Sequence, residues 1–243
     1  MIQIKRAIIS VFNKEGIVDF AKGLSEWGVE ILSTGGTAKV LREEGISVKE
    51  ISQYIGISSM LNGRVKTLHP DIYAGILALR SSSSQMEEIK ENKISLIDMV
   101  VINFYPFAQV IQKEGVDIKE VVENIDIGGP TMLRAAAKNF FSVAAVSNPD
   151  QYSLILKELK ENKGYLSEEV CFGLAIRVFQ EVSAYDSLIA GYFSEKKRGK
   201  FPEIINFSFR KKEDLRYGEN PHQKASFYVE IPEKNLGFLG AQK

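Results

Sequence analysis

The sequence predicts an α/β protein in which a mostly parallel sheet is flanked by helices on both faces. Residues 6–11 and 97–103 are short runs rich in isoleucine and valine, a pattern typical of strands buried on both faces. Segments with apolar residues at helical spacing separate such runs, and this alternation favours a parallel sheet. Polar and glycine residues follow several predicted strands. Because open parallel sheets bind ligands beyond the carboxyl ends of their strands, that edge is predicted to carry the site.

The first half of the chain alternates strands with helices. Ile17, Ala21 and Leu24 form one apolar stripe, and Gly28 ends that helix. Residues 81–84 are four serines and indicate an exposed loop. The predicted elements, in order, are strand 6–11, helix 17–27, strand 29–32, helix 38–44, strand 48–51 and helices 71–79 and 86–93.

The second half continues the pattern and then changes character. Asp117 can cap a helix, and Pro130 suits the start of another. The predicted elements are strand 97–103, helices 117–124 and 131–139, strand 142–146 and helices 149–160 and 167–193. Residues 198–202 are predicted as a linker, and 207–212 begin a new pattern. We therefore predict one domain over 1–197, and over 198–243 a linker with an incomplete second domain, whose residues 236–239 are expected to fray.

Composition excludes several function classes. The 243 residues contain 31 Lys+Arg and 31 Asp+Glu, so net charge gives no reason to expect a nucleic-acid or membrane partner. The single cysteine, Cys171, excludes an internal disulfide and lies in an apolar helical run, which predicts a buried thiol. With no cleavable leader or apolar run of membrane-spanning length, we expect a soluble, cytoplasmic protein.

The basic stretch from Asn62 to Pro70 is the first candidate for chemistry. Pro70 disfavours helix before it, so Arg64 and Lys66 are predicted to lie on the same side of an extended segment. Thr67 adds a hydroxyl, and the preceding glycine allows close approach of the backbone. This set suits an anion or a carbonyl oxygen that gains negative charge. The alternative interpretation is a solvated basic loop.

A second candidate is a phosphate cradle. Residues 34–37, Thr-Gly-Gly-Thr, follow a predicted strand and open a helix, where backbone N–H groups and hydroxyls can meet a phosphate. Ser10 and Lys14 follow the neighbouring strand and can complete this cradle. An ordinary Gly-Gly turn is the alternative, and the absence of Walker spacing argues against a nucleoside triphosphate.

Three further side chains could move protons. Asp126 and Lys138 have simple roles as a helix cap and a dipole partner, but they could also face one cleft and tune each other's pKa. Tyr105 follows a buried strand and is either an aromatic support or a proton-transfer hydroxyl. His69 is isolated, which favours a loop-stabilising role. Two histidines and one cysteine do not make a zinc site, so no metal is expected.

Together these motifs resemble the family of the bifunctional purine biosynthesis protein, which joins an N-terminal IMP cyclohydrolase to a C-terminal AICAR transformylase. Six segments in the same order carry the resemblance. They are Ser10 to Lys14, Thr34 to Thr37, Gly63 to Pro70, Asn103 to Phe107, Asp126 to Gly129 and Arg134 to Asn139. Residues 216–224 resemble the opening of the transformylase domain, so the resemblance extends over essentially the whole chain.

The resemblance implies a methylglyoxal-synthase-like (Rossmann-like) fold, a homodimer and ring closure of the formamido-imidazole carboxamide ribotide (FAICAR) to IMP with loss of water. No cofactor or metal is then needed. Lys66, with the N–H groups of Lys66 and Thr67, would stabilise the formyl oxygen. Protons would be moved by Tyr105, Asp126 and Lys138. The implied substrate contacts are Ser10, Lys14, Thr34 (often serine in the family), Gly35, Gly36 and Thr37 for the phosphate, Arg64 and Asn103 for the base and carboxamide, and Gly128.

For the second domain the resemblance is incomplete. Arg216 and Tyr217 match family residues that contact AICAR, but the family's Lys-His pair has no counterpart before Lys243. We therefore expect no formyl transfer from formyltetrahydrofolate, the co-substrate of that domain.

Two alternatives share the predicted fold. Methylglyoxal synthase would act on dihydroxyacetone phosphate through an aspartate, and a nucleotide-sensing domain like that of carbamoyl-phosphate synthetase would bind without catalysis. Residues 64–67 and the C-terminal tail argue against the synthase. Lys66, Tyr105, Asp126 and Lys138 together argue against a pure sensor.

Overall fold

A computed structural model describes residues 1–197 and 201–231. By their internal contacts these residues form two compact units, which are described separately. The first contains Met1–Tyr105 and Ile125–Gln180, and the second contains Pro106–Asn124 and the described residues from Glu181 onward. The predicted linker at 198–202 and the segment 236–239 lie partly or wholly outside the described residues, so the domain boundary near residue 197 stays a prediction.

The first unit is built on a five-stranded parallel sheet. The strands of this unit are β1 (Ile2–Gln3), β2 (Arg6–Val11), β3 (Glu30–Ser33), β4 (Val48–Glu50), β5 (Met99–Asn103), β6 (Ala144–Val146) and β7 (Tyr165–Leu166). Their order in the parallel sheet is β4-β3-β2-β5-β6, and a short antiparallel pair, β1 with β7, lies outside it. The predicted α/β class with a mostly parallel sheet is confirmed.

Helices cover the sheet, and the core lies between the sheet and these helices. Ile8 and Ile9 of β2 and Val100 of β5 are fully buried, as expected for central strands of a parallel sheet. The helices that begin in this unit are α1 (Ile17–Glu26), α2 (Gly35–Glu43), α3 (Ile51–Ile55), α4 (Pro70–Leu77), α5 (Ser83–Glu91), α8 (Gly128–Lys138), α9 (Tyr152–Glu161) and α10 (Glu168–Lys196), the last of which continues into the second unit. Two 3-10 turns, Leu61–Gly63 and Pro149–Gln151, complete it.

The second unit contains two short helices and a hairpin. The helices are α6 (Phe107–Ile111) and α7 (Ile118–Glu123), and the antiparallel hairpin is β8 (Phe209–Leu215) with β9 (Ala225–Glu230). The ring of Phe107 packs edge-on against Tyr185 and Tyr192 of α10. Asp117 occupies the predicted cap position of α7, but its side chain makes no capping hydrogen bond.

Several predicted bounds differ from the structure for identifiable reasons. Helix α2 begins at Gly35, three residues earlier than predicted, because Thr34 is the extended N-cap residue. Strand β5 begins at Met99, two residues later than predicted, and the carboxylate of Asp98 just before it accepts the backbone N–H groups of Lys5 and Arg6 at 2.8 Å each. The elements α3, α6, β1 and β7 were not predicted, since two to five residues are too few to show periodicity.

No helix among residues 1–197 and 201–231 has the length and apolar character needed to cross a bilayer.

Candidate active site

The carboxyl ends of three adjacent strands bring together the loops that sequence patterns selected. Ile9 of β2 is in register with Ser33 of β3, and Val11 with Asn103 of β5. The loops after these strands therefore start side by side at one edge of the sheet. This edge carries Ser10 and Asn103 at the ends of β2 and β5, Lys14, Thr34 and Tyr105 in the loops, and Gly35, Gly36 and Thr37 at the start of α2.

The start of α2 presents backbone N–H groups at this edge. Gly35 and Gly36 are exposed, and the Thr34 hydroxyl makes no capping hydrogen bond. The first N–H groups of a helix have no partner within the helix and lie at the positive end of its dipole. This arrangement suits a phosphate.

Thr37, predicted as a phosphate contact, is used differently from Thr34. It is 3% exposed, and its hydroxyl accepts the N–H of Val11 at 3.1 Å and donates to the Val11 carbonyl at 3.0 Å. The hydroxyl therefore joins α2 to the end of β2. If this hydroxyl also contacts a phosphate, as predicted, it must share one of these two hydrogen bonds with the phosphate.

Lys14 is held over the loop that follows β2. Its ammonium donates to the carbonyls of Val11 and Phe12, the latter at 3.1 Å. Burial lowers the pKa of Lys14, because a low-dielectric environment disfavours the charged form. An ammonium has three donors, so one remains for a ligand at this edge.

Asn103 pins the same loop from the neighbouring strand. Its side-chain oxygen accepts the N–H groups of Phe12 at 2.7 Å and Asn13 at 2.8 Å, and its amide nitrogen donates to the Asn13 carbonyl at 2.9 Å. One side-chain N–H is left over from these three bonds. The predicted role of Asn103 in orienting a base stays a prediction, and the structure adds a clear anchoring role.

The basic stretch is a turn, and the prediction that Arg64 lies in an extended segment was wrong. Arg64 has right-handed helical angles, φ −64° and ψ −28°, and a bridge between Met60 and Val65 closes the turn. Gly63 has φ +92°, which favours glycine. A Cβ there would lie 2.7 Å from Cε of Lys66, so glycine also makes room for the Lys66 side chain.

The residues after the turn lead toward the start of α8. Thr67 is buried at 7% exposure, and a Cβ on Gly128 would lie 3.0 Å from its hydroxyl oxygen. His69 caps α4 by accepting the Asp71 N–H on Nδ1 at 3.3 Å, in agreement with the predicted loop-stabilising role. Thr67 and Gly128, both predicted substrate contacts, are thus neighbours.

Asp126 is held at the start of α8. Its Oδ1 accepts the Gly129 N–H at 2.9 Å. A Cβ on Gly129 would lie 2.5 Å from Oδ2 of the same carboxylate, so only glycine leaves room for it. Burial raises the pKa of Asp126, and the bond from Gly129 partly opposes this shift. A carboxylate with a raised pKa accepts a proton more readily than an ordinary aspartate, which suits a group that takes up and returns a proton.

Tyr73 is a neighbour of this carboxylate that the sequence patterns did not select. It lies on α4, which packs against α8, and its buried hydroxyl has no hydrogen-bond partner among the residues that the structure describes. Burial first, and then the charge of Asp126, raise the pKa of Tyr73 to about 12. The only sequence signal was a tyrosine between Ile72 and Ile76 in an otherwise apolar helix face.

Within one chain, Lys138 and Asp126 do not lie close together. The two residues flank opposite ends of α8, whose 11 residues separate its ends by roughly 16 Å at 1.5 Å per residue. Lys138 is exposed at the far end. The shared cleft proposed for this pair is therefore not formed inside a single chain, and the catalytic role of Lys138 stays a prediction.

Two residues predicted for a second site lie in the second unit. Arg216 and Tyr217 are exposed in the loop that joins β8 to β9. This loop is closed by Gln223, whose carbonyl accepts the Gly218 N–H at 2.8 Å.

Cys171 is 1% exposed, as predicted. In the part of the chain that the structure describes, no cluster of three or more His, Cys, Asp or Glu side chains could hold a metal ion.

Comparison with known proteins gives consistent matches along the chain. Residues 16–131 match the family model of the MGS-like domain, and residues 136–243 match that of the AICARFT/IMPCHase bienzyme. The chain is 52% identical over 241 residues to the bifunctional purine biosynthesis protein PurH of Acetivibrio thermocellus, covering 99% of this chain and 46% of that protein. It therefore spans about half the length of this relative. The crystal structure of ForH is 37% identical with a TM-score of 0.73, covering 79% of this chain and 98% of the other.

Proposed function

This chain belongs to the family of the bifunctional purine biosynthesis protein, and from that membership we propose that it is an IMP cyclohydrolase in purine biosynthesis. Its substrate would be FAICAR and its product IMP, with loss of water. One observation carries the proposal. The cradle at the start of α2 and the partly buried carboxylate of Asp126, whose pKa is raised, would supply an anion site and a proton acceptor in the same unit.

Binding would begin with the ribotide phosphate. The exposed N–H groups of Gly35 and Gly36, the hydroxyls of Ser10 and Thr34 and the remaining donor of Lys14 all follow adjacent strands at one sheet edge. Each is a donor, so the set complements a dianion. Holding the phosphate would fix one end of the substrate and let the ring system reach the residues beyond it.

Ring closure requires the carboxamide nitrogen to attack the formyl carbon. As the C–N bond forms, the formyl oxygen gains negative charge, and Lys66 with the backbone N–H groups of Lys66 and Thr67 would stabilise it. The attacking nitrogen loses one proton, which Asp126 or Tyr105 would accept. The former formyl oxygen takes up two protons in all and leaves as water when its C–O bond breaks, while the formamide nitrogen gives up its own proton as the ring C=N bond forms. Holding both reacting groups of one molecule in contact would supply much of the rate enhancement.

Lys138 can take part only from outside its own chain, because it lies at the far end of α8 from Asp126. We therefore assign any role of Lys138 to a second copy in a homodimer. Isologous dimers of this kind are the commonest oligomers and place equivalent residues at both sites.

The test is turnover of FAICAR to IMP by the purified chain, beside Lys66→Ala and a matched control, Lys157→Ala. Lys157 is exposed on α9 and pairs with Glu161 at 3.8 Å, so its loss should leave turnover unchanged. We expect the parent and the control to form IMP, and Lys66→Ala to be slower by about 10²-fold or more. Equal turnover by all three would refute the role of Lys66.

The same preparation distinguishes the alternatives. Production of methylglyoxal from dihydroxyacetone phosphate without turnover of FAICAR would identify a methylglyoxal synthase. A folded parent that binds IMP but turns over neither substrate would identify a sensing domain.

A further inference from the structure

Two half-exposed aromatic rings meet beside the phosphate cradle. Phe12 follows β2 and Tyr105 follows β5, and their ring centroids are 4.4 Å apart with the planes tilted by 55°. Phe12 is 46% exposed and Tyr105 is 41% exposed, so this pair is not part of the core. An exposed aromatic pair at the ligand edge of a parallel sheet requires an explanation other than fold stability.

The backbone beneath Phe12 is fixed from the strand that carries Tyr105. Asn103 accepts the N–H groups of Phe12 and Asn13 and donates to the Asn13 carbonyl. These three bonds clamp the loop after β2 to the end of β5. The Phe12 ring is therefore held at a defined place relative to Tyr105.

Tyr105 has few other restraints. Its hydroxyl makes no hydrogen bond to any residue in the ranges 1–197 and 201–231, and Phe12 is the one ring in those ranges that contacts it. Pro106 restricts the backbone of Tyr105 but not its side-chain torsions. The direction of the Tyr105 hydroxyl thus depends on the contact between its ring and that of Phe12.

We propose that Phe12 is a positioning residue for the proton-transfer hydroxyl of Tyr105, an inference that rests on the proposed cyclohydrolase. Ser10 at the end of β2 and Lys14 in the loop that carries Phe12 are the proposed phosphate contacts. A bound phosphate would add to the Asn103 bonds that already fix this loop, and Phe12 would pass that restraint to Tyr105 by ring contact. Phe12 takes no proton itself, and the bonds made and broken are those of the ring closure.

The kinetic test compares Phe12→Ala with Phe12→Tyr, which keeps an aromatic ring. Misplacing a catalytic group by about 1 Å can cost about 10²-fold, so we expect Phe12→Ala to lower kcat by about 10- to 100-fold. The dissociation constant for IMP should change by no more than about twofold, and Phe12→Tyr should restore most of kcat. An equal loss in both variants, or a loss confined to KM, would overturn the proposal.

A double-mutant cycle with Tyr105→Phe decides whether Phe12 acts through the hydroxyl. Without that hydroxyl, Phe12→Ala should have no further effect on kcat. If the two losses multiply, Phe12 acts independently of Tyr105 and the proposal is wrong.

A readout independent of turnover separates this proposal from the proposed function. In protein carrying 13C-labelled tyrosine, Tyr105→Phe identifies the Tyr105 ring signal, and Phe12→Ala should shift and broaden that signal but few others. If the parent forms no IMP, the proposed function fails while this spectrum still tests the ring contact. An unchanged Tyr105 signal in Phe12→Ala would show that Phe12 does not position the ring.

Discussion

Thr37 and Val11 are joined by a reciprocal pair of hydrogen bonds, since the Thr37 hydroxyl accepts the Val11 N–H at 3.1 Å and donates to the Val11 carbonyl at 3.0 Å. The Val11 carbonyl also accepts the ammonium of Lys14. One buried backbone group therefore connects the first turn of α2, the end of β2 and the loop after it. These bonds, together with the strands, hold the candidate phosphate cradle in place.

Replacing Thr37 by Val should destabilise the fold. The change keeps the shape of the side chain but leaves the N–H of Val11 without its partner, which costs about 1–3 kcal/mol for a buried group. Chemical denaturation monitored by circular dichroism measures this loss. Thr37→Ser keeps the hydroxyl and should lose less than half as much.

Thr34→Ala tests the other threonine at the start of α2, whose loss should affect ligand binding rather than stability. The Thr34 hydroxyl makes no capping bond, so stability should change by less than about 1 kcal/mol. Loss of a hydrogen bond to a charged phosphate should weaken IMP binding by about 10-fold or more. If Thr34→Ala destabilises the fold and Thr37→Val does not, the division of roles between the two threonines is reversed.

Sequence patterns predicted the sheet and the edge at which the candidate site residues gather, because apolar runs and polar ends are local properties of the chain. They did not separate the buried Thr37 from the half-exposed Thr34, since both are threonines that flank a Gly-Gly pair. That distinction depends on the register of β2 with β3, which is a long-range property. For the same reason the distance between Asp126 and Lys138 could not be read from spacing until α8 was known to be one continuous helix.

Asp126→Asn should increase stability at neutral pH while it reduces turnover. Burial raises the pKa of Asp126 in the folded protein above its value in the unfolded chain. The protonated carboxyl therefore contributes its full stability below the unfolded pKa, and this contribution is lost as pH rises through the folded pKa. Asparagine does not titrate and can still accept the Gly129 N–H. The variant should therefore melt at a higher temperature than the parent at pH 7, and the difference should shrink below about pH 4, the ordinary range of an aspartate.

The kinetic half of this prediction concerns proton transfer. Asparagine cannot accept a proton, so kcat for FAICAR should fall by about 10²- to 10⁴-fold. A variant that is more stable at pH 7 but fully active would remove Asp126 from the chemistry. A variant that is less stable at pH 7 would contradict the raised pKa.

Gly129→Ala should displace the Asp126 carboxylate. The added methyl would lie 2.5 Å from Oδ2 of Asp126 and 3.0 Å from Cγ2 of Ile102, both shorter than van der Waals contact. We expect kcat to fall by about 10²-fold, in line with a shift of the carboxylate by about 1 Å. Gly173→Ala is the matched control, because nothing lies within 4 Å of its added methyl. Gly173 lies within α10, where alanine should raise the free energy of unfolding by up to about 1 kcal/mol and leave turnover unchanged.

Tyr73→Phe should stabilise the protein slightly. The Tyr73 hydroxyl is buried without a partner, so its removal leaves no other group unpaired and should gain about 1 kcal/mol. The measurement is the midpoint of urea denaturation. A loss of stability would indicate that an ordered water or a proton shared with Asp126 satisfies the hydroxyl in solution.

Mixing two inactive variants tests whether Lys138 acts on a site in a second copy. If each site takes Lys66 from one chain and Lys138 from its partner, random dimers of Lys66→Ala and Lys138→Ala contain about one intact site in four. Their mixture should then regain about a quarter of parental turnover after dissociation and reassembly, although each variant alone is nearly inactive. If the two variants exchange subunits and no turnover returns, Lys138 is not shared between chains. Since one chain holds Lys138 at the far end of α8 from Asp126, that result would leave it the ordinary role of a lysine at a helix C-terminus.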